Sequence, residues 1–179
     1  ALLAGVDTLE HGTNLDDECI AMMVEQGTWL VPTLAITDSL LRRGAASGAR
    51  AEGLAKLEIA RANQSRSILK AIAAGVKIAM GTDSSGNLCR FGEHARELEL
   101  YVELGMTPAK ALETATSAAA EALDLAGEIG TLDAGKCADI VLVNGNPLQD
   151  IYLLQREGGL RRVYRNGVDV TDPWPAVDL

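Results

Sequence analysis

Two stretches decide how this chain is read: Ala4-Gly5-Val6-Asp7-Thr8-Leu9-Glu10-His11-Gly12 and Ala74-Gly75-Val76-Lys77-Ile78-Ala79-Met80-Gly81-Thr82-Asp83-Ser84-Ser85-Gly86. Each opens on an Ala-Gly-Val helix exit, runs through a short segment, and stops at one metal-capable side chain. A glycine directly after a helix takes the left-handed conformation that ends it. A compact apolar run then suits a parallel strand covered on both faces. His11 and Asp83 therefore fall where parallel strands stop, the rim at which α/β barrels keep their chemistry.

The flanking segments extend the pattern. Asn14 is the expected N-cap of a helix with Asp16, Asp17 and Glu18 in its first turn and Ile20, Met23 and Val24 as its apolar stripe, ended by Gly27. Trp29–Leu34 reads as a buried strand, with Pro32 near its end. Residues 37–51 read as an irregular excursion, broken by Gly44, Ser47 and Gly48 and solvated by Arg42, Arg43 and Arg50. A long helix follows over about 52–74, weakened in its middle by Asn63, Gln64, Ser65 and Arg66. Further helices are expected over 92–104 and, from Thr107-Pro108, through an alanine-rich run to about 125. Strands alternating with helices make parallel βα units. From Gly127 the pattern changes to short β segments at 130–132, 138–143 and 161–165, with Asn166-Gly167 as a type I′ hairpin turn. The expected division is 1–126 and 127–179.

Bulk properties narrow the function classes. A formal charge of −9 argues against a nucleic-acid partner. No apolar run reaches the ~18–20 residues of a spanning helix, and no basic amphipathic stretch suggests a membrane surface. Cys19, Cys89 and Cys137 are odd in number and form no CxxC, which points to reduced thiols in a cytoplasmic protein. The chain opens on Ala1 as though a helix were already under way, so the expectation is the C-terminal part of a longer protein.

Taken singly, His11 is a strand-end histidine and Asp83 a turn-forming aspartate. Together, at the same end of near-consecutive strands, they are ligand types suited to Zn²⁺ or a similar divalent ion. Thr33, Ser84, Ser85 and Asn87 are candidates for touching substrate, with loop formation as the competing role. His94, expected near the start of a helix, is either a further site residue or a packed helix histidine. Glu10 should point away from His11. Cys89 has no neighbour that would activate a thiolate. Glu97, Glu99 and Glu103 read as a solvated helix face.

Leu9-Glu10-His11-Gly12, Gly81-Thr82-Asp83, Gly105-Met106-Thr107-Pro108 and Ala111-Leu112-Glu113-Thr114-Ala115-Thr116 resemble the amidohydrolase superfamily. So do Gly130-Thr131-Leu132-Asp133-Ala134-Gly135-Lys136-Cys137-Ala138-Asp139 and Asn144-Gly145-Asn146-Pro147-Leu148, and the likeness is greatest to its imidazolonepropionase-like and Xaa-Pro dipeptidase-like (prolidase) branch. The resemblance implies the C-terminal part of a (β/α)₈ TIM barrel, about strands six to eight, followed by a small β-sandwich portion. It implies one or two divalent metals, zinc by ligand type, with His11 as the sixth-strand ligand and Asp83 as both the eighth-strand ligand and the catalytic proton shuttle. Trp29–Leu34 would be the seventh strand. The implied reaction is hydrolysis of a C–N bond in a dipeptide or N-acyl amino acid, with a cyclic-amide hydrolase, a deaminase or a non-catalytic assembly module as alternatives. The implied partners are a small-molecule or dipeptide substrate and a second copy of the chain. The His-x-His pair, the lysine and the further histidine of that family are absent, so the chain by itself is expected to be inactive.

Overall fold

The computed structural model describes residues 1–48, 50–85 and 89–171. Strand β1 (Thr8–Glu10) lies parallel to β2 (Trp29–Val31), with Leu9 opposite Leu30. Beyond β2, the extended segment 76–82 adds a third position: Ile78 bridges Leu30 in parallel, Leu30 donates its N–H to the Lys77 carbonyl, and Ala79 donates back to Leu30. Around this ribbon pack α1 (Asp17–Gln26), α2 (Leu34–Arg43), α3 (Ala51–Ala74), α4 (Arg96–Glu103), α5 (Pro108–Thr114) and α6 (Ser117–Ala122). Met23, Leu30, Leu34, Ile68, Leu100 and Tyr101 form the fully buried centre. The architecture is α/β with parallel pairing, as the alternation of elements requires.

Several boundaries differ from the sequence expectation. The first helix is capped by Asp16, not Asn14: its side chain accepts the Cys19 N–H at 2.8 Å. Val24 is exposed rather than in the buried stripe. The second strand stops at Val31, and Leu34 already belongs to a helix. Residues 37–51 are largely that ten-residue helix and a 3₁₀ turn at Gly44–Ser47, not an irregular excursion. The helix expected from 92 begins at Arg96. The alanine-rich run divides into α5 and α6, because the Ala115 and Thr116 N–H groups turn back to Leu112 and Glu113. Thr107 and Pro108 cap and open α5 as their types dictate.

Gly81 fixes how closely the third segment approaches β2. A Cβ there would collide with Val31 Cγ1. Only glycine permits that spacing.

After α6 the chain makes an antiparallel meander, β3 (Ile140–Val143), β4 (Leu160–Arg165) and β5 (Val168–Asp169). Asn166 and Gly167, at φ 49° and 78°, form the expected hairpin turn. Residues 130–132, expected as a strand, are irregular. The Gly130–Asp139 motif serves this turn-rich region structurally. The Lys136 ammonium donates to the Ala126 carbonyl at 2.7 Å, and Asp139 Oδ1 accepts the Asn166 N–H at 2.7 Å, which holds the hairpin. Ile151, in a 3₁₀ turn at Ile151–Gln155 packed on α4, is buried and ties this part to the rest.

Candidate functional site

His11 directly follows β1, Thr33 stands one residue beyond the end of β2, and Asp83 directly follows the 80–82 end of the third segment. All three are non-glycine residues in the left-handed region, at φ 68°, 52° and 51°. For β-branched Thr33 this is a strained conformation. Strain of this kind costs on the order of 1–3 kcal/mol per residue and clusters where chemistry needs it. Strand neighbours stand about 4.8 Å apart, so the backbones of β1 and the third segment flank that of β2 at roughly 10 Å from each other. His11 and Asp83 are both exposed at this rim, and Thr33 between them is buried.

The proton count on Thr33 sets the state of His11. Thr33 Oγ1 donates its single proton to the Pro32 carbonyl at 2.7 Å. His11 Nδ1 lies 2.7 Å from the same oxygen. With that proton already committed, Thr33 can only accept, so neutral His11 carries its proton on Nδ1 and keeps a lone pair on Nε2. A neutral imidazole with one nitrogen anchored and the other free is what a metal ligand requires. Asp83 supplies an exposed carboxylate at the same rim. The donor types therefore fit a divalent ion such as zinc. Among the described residues, no group of three or more His, Cys, Asp and Glu side chains converges as a complete site would.

Ser84 is taken up by its own loop: its hydroxyl lies 2.8 Å from Thr82 Oγ1 and donates to Cys89 Sγ at 3.5 Å. Ser85 is exposed and bridges Cys89. Asn87 lies outside the described residues. His94 sits in the turn before α4, not in the helix, exposed and 6.1 Å from the Phe91 ring. Glu10 is exposed, and the Lys77 ammonium lies over Trp29 at 5.0 Å from its ring centroid.

The acidic face of α4 is the largest correction. Glu97 and Glu99 are buried, and only Glu103 is exposed. Glu97 Oε1 accepts the Leu34 N–H at 2.9 Å and Oε2 accepts the Ala35 N–H at 2.6 Å, so this carboxylate caps α2. Burial pushes its pKa up to about 7, against the two N–H bonds that favour the charged form. The Tyr101 hydroxyl feels the same carboxylate but lies outside hydrogen-bond geometry, and burial and that charge raise its pKa well above 10. Glu99 and Glu103 pair with Arg96 at 2.8 and 2.7 Å, and Asp38 pairs with it at 3.0 Å. Burial lowers the Arg96 pKa, but its three carboxylate partners outweigh that and raise it above the ordinary arginine value.

The polar middle of α3 is likewise inside. Gln64, Ile68 and Ala71 share one buried face. Ser67 Oγ accepts the Leu15 N–H at 3.1 Å and donates to the Thr13 carbonyl at 3.2 Å. Gln64 Nε2 donates to the His11 carbonyl at 3.1 Å and to the Pro32 carbonyl at 2.7 Å.

The chain as a whole has counterparts among known proteins. The profile of the Amidohydrolase family matches residues 1–170. The chain belongs to the amidohydrolase family. Ochratoxinase of Aspergillus niger is 33% identical over 169 residues, 93% of this chain and 34% of the relative. Imidazolonepropionase of Symbiobacterium thermophilum is 28% identical over 141 residues, 78% of this chain and 28% of the relative. A crystal structure of a Xaa-Pro dipeptidase with methionine bound in its active site superposes with a TM-score of 0.84 at 32% identity, over 96% of this chain and 41% of that one. The chain thus spans about a third of the ochratoxinase and two-fifths of the dipeptidase that it matches.

Proposed function

We propose that this chain carries the C-terminal share of the catalytic barrel of a metal-dependent amidohydrolase that hydrolyses a C–N bond in a dipeptide or N-acyl amino acid. Residues 1–126 would supply strands six to eight of the (β/α)₈ barrel, and 127–179 part of a β-sandwich. The observation that carries the reading is the row of left-handed, non-glycine residues at His11, Thr33 and Asp83, with Thr33 strained as a β-branched residue. The named hydrolase relatives, a dipeptidase among them, support the reaction class. The imidazolonepropionase likeness keeps a cyclic amide as the alternative substrate. Three unpaired cysteines fit a reducing, cytoplasmic setting.

His11, through Nε2, and Asp83 would hold the ion. A bound divalent ion lowers the pKa of water from 15.7 to about 7, which makes hydroxide available at neutral pH. Asp83 accepts the nucleophile's proton and returns it to the leaving nitrogen. Thr33 keeps the imidazole in the ligating tautomer. Ser85 and His94, both exposed, would meet substrate, and Ser84 would support them through its bonds to Thr82 and Cys89. A catalytic zinc ordinarily takes three protein ligands, one more than His11 and Asp83 provide.

Complementation tests the reading. The chain is mixed with the remaining N-terminal part of the Xaa-Pro dipeptidase, Zn²⁺ is added, and Xaa-Pro dipeptide hydrolysis is followed. Hydrolysis is expected from the mixture, none from either part alone, and a loss of at least ~10²-fold with Asp83→Asn or His11→Ala. A folded, associated mixture with no activity, or activity indifferent to both substitutions, refutes it.

A further inference from the structure

We infer that Gln64 is a positioning residue for the His11–Thr33 pair. It stands on α3 and meets the rim only through backbone carbonyls, not through the His11 imidazole or the Asp83 carboxylate. Its amide nitrogen has two protons, and both are used: one on the carbonyl that closes His11, the other on the Pro32 carbonyl just before Thr33. Both partners are carbonyl oxygens, so only the NH₂ end of the side chain can face them. The assignment of its two ends is therefore fixed by chemistry. Gln64 is 4% exposed, so water does not substitute for either bond.

The Pro32 carbonyl is the shared point. It receives Gln64 at 2.7 Å and the Thr33 hydroxyl at 2.7 Å, which fills both of its lone pairs. Because Thr33 spends its proton there, it must accept from His11 Nδ1. One side chain on a helix thereby pins two adjacent strand ends, holds Thr33 beside its acceptor, and sets which imidazole nitrogen is left bare. Ser67, one turn along the same helix, binds Thr13 and Leu15 instead and reaches neither His11 nor Thr33. It is the natural control for loosening of the helix alone.

The test uses the 179-residue chain in a His94→Gln background, which leaves one imidazole to observe. Long-range ¹H–¹⁵N correlation at about pH 8.5, two pH units above the ordinary histidine value, reads the tautomer of neutral His11. The Nδ1–H form is expected in the parent. Gln64→Met, of similar length with no donor, is expected to shift His11 toward Nε2–H, the form free imidazoles prefer. Ser67→Ala is expected to leave the tautomer unchanged at a comparable loss of thermal stability. An unchanged tautomer in Gln64→Met, or an equal shift in Ser67→Ala, overturns the inference. If Gln64→Met does not fold, Gln64→Asn, which cannot reach both carbonyls, is read in its place, and loss of the fold in both would make Gln64 a folding residue and overturn positioning. Zn²⁺ calorimetry adds an arm that rests on the metal reading: affinity should fall about 10–100-fold in Gln64→Met and stay unchanged in Ser67→Ala. The tautomer decides Gln64 whatever the calorimetry reads, because His11 and Asp83 alone fall one ligand short of a complete zinc site.

Discussion

Glu97 offers the sharpest test of the packing, because its burial makes fold stability depend on pH in an unusual window. Its carboxyl titrates near 4.5 in the unfolded chain and near 7 in the folded one. Between those values the folded state holds a proton that the unfolded state has released. Stability must therefore fall as pH rises through 4.5 to 7, and the contribution is complete below 4.5 and gone above 7. At 1.36 kcal/mol per pH unit the effect is roughly 3 kcal/mol. The other perturbed carboxyls work in the opposite direction and elsewhere. Asp16, Asp38 and Asp169 are held below 3.8, so their contributions vanish only in stronger acid. Cys19 and Tyr101 are raised from 9.0 and 10.0 and change stability only in alkali. The assay is urea unfolding followed by far-ultraviolet circular dichroism at pH 5, 6, 7 and 8, for the parent and for Glu97→Gln. The variant keeps one acceptor for Leu34 or Ala35 and turns an NH₂ toward the other amide, at a cost of about 1–3 kcal/mol throughout. The parent should lose stability from pH 5 to 8 and the variant should lack that fall. An equal fall in both would show that the slope arises at another group and that Glu97 is not the buried proton-holder described.

Two further substitutions probe the frame of the site. Gly81→Ala drives a methyl into Val31 and should cost about 1–3 kcal/mol in urea unfolding; a neutral result would mean the third segment does not approach β2 as closely as drawn. Arg96→Met leaves buried Glu99 without its cation and Asp38 with Arg42 alone, and a loss of about 3–5 kcal/mol is expected in the same measurement, whereas a loss under 1 kcal/mol would place the Glu99 carboxylate in water.

The sequence carried the parallel βα pattern, the long helix, the Thr107-Pro108 cap and the Asn166-Gly167 hairpin, because each is written in neighbouring residues. It failed at α2, and the reason is physical. Thr33 makes no side-chain cap for that helix. Its first N–H groups are satisfied by Glu97, more than sixty positions away, so no local start signal exists. The same distance hid Glu97 itself, since three glutamates on one short helix look solvated until their partners are known. Gln64 left a faint trace: it stands four and seven positions before Ile68 and Ala71, on the apolar side of its helix. A polar residue on such a face is a polar group in need of a buried partner. The strand ends His11 and Asp83 were legible from glycine spacing, but the left-handed backbone they share with Thr33 was not, because a threonine in a β-type run gives no warning of positive φ.

The residues that hold the rim do so from the helical layer: Gln64 grips the His11 and Pro32 carbonyls, and Glu97 grips the amides that follow Thr33. None of these bonds passes through the loop beyond Asp83. Selection can therefore rewrite that loop, in length and in composition, while His11 and Thr33 stay in register. A scaffold clamped at its back is free to change its face.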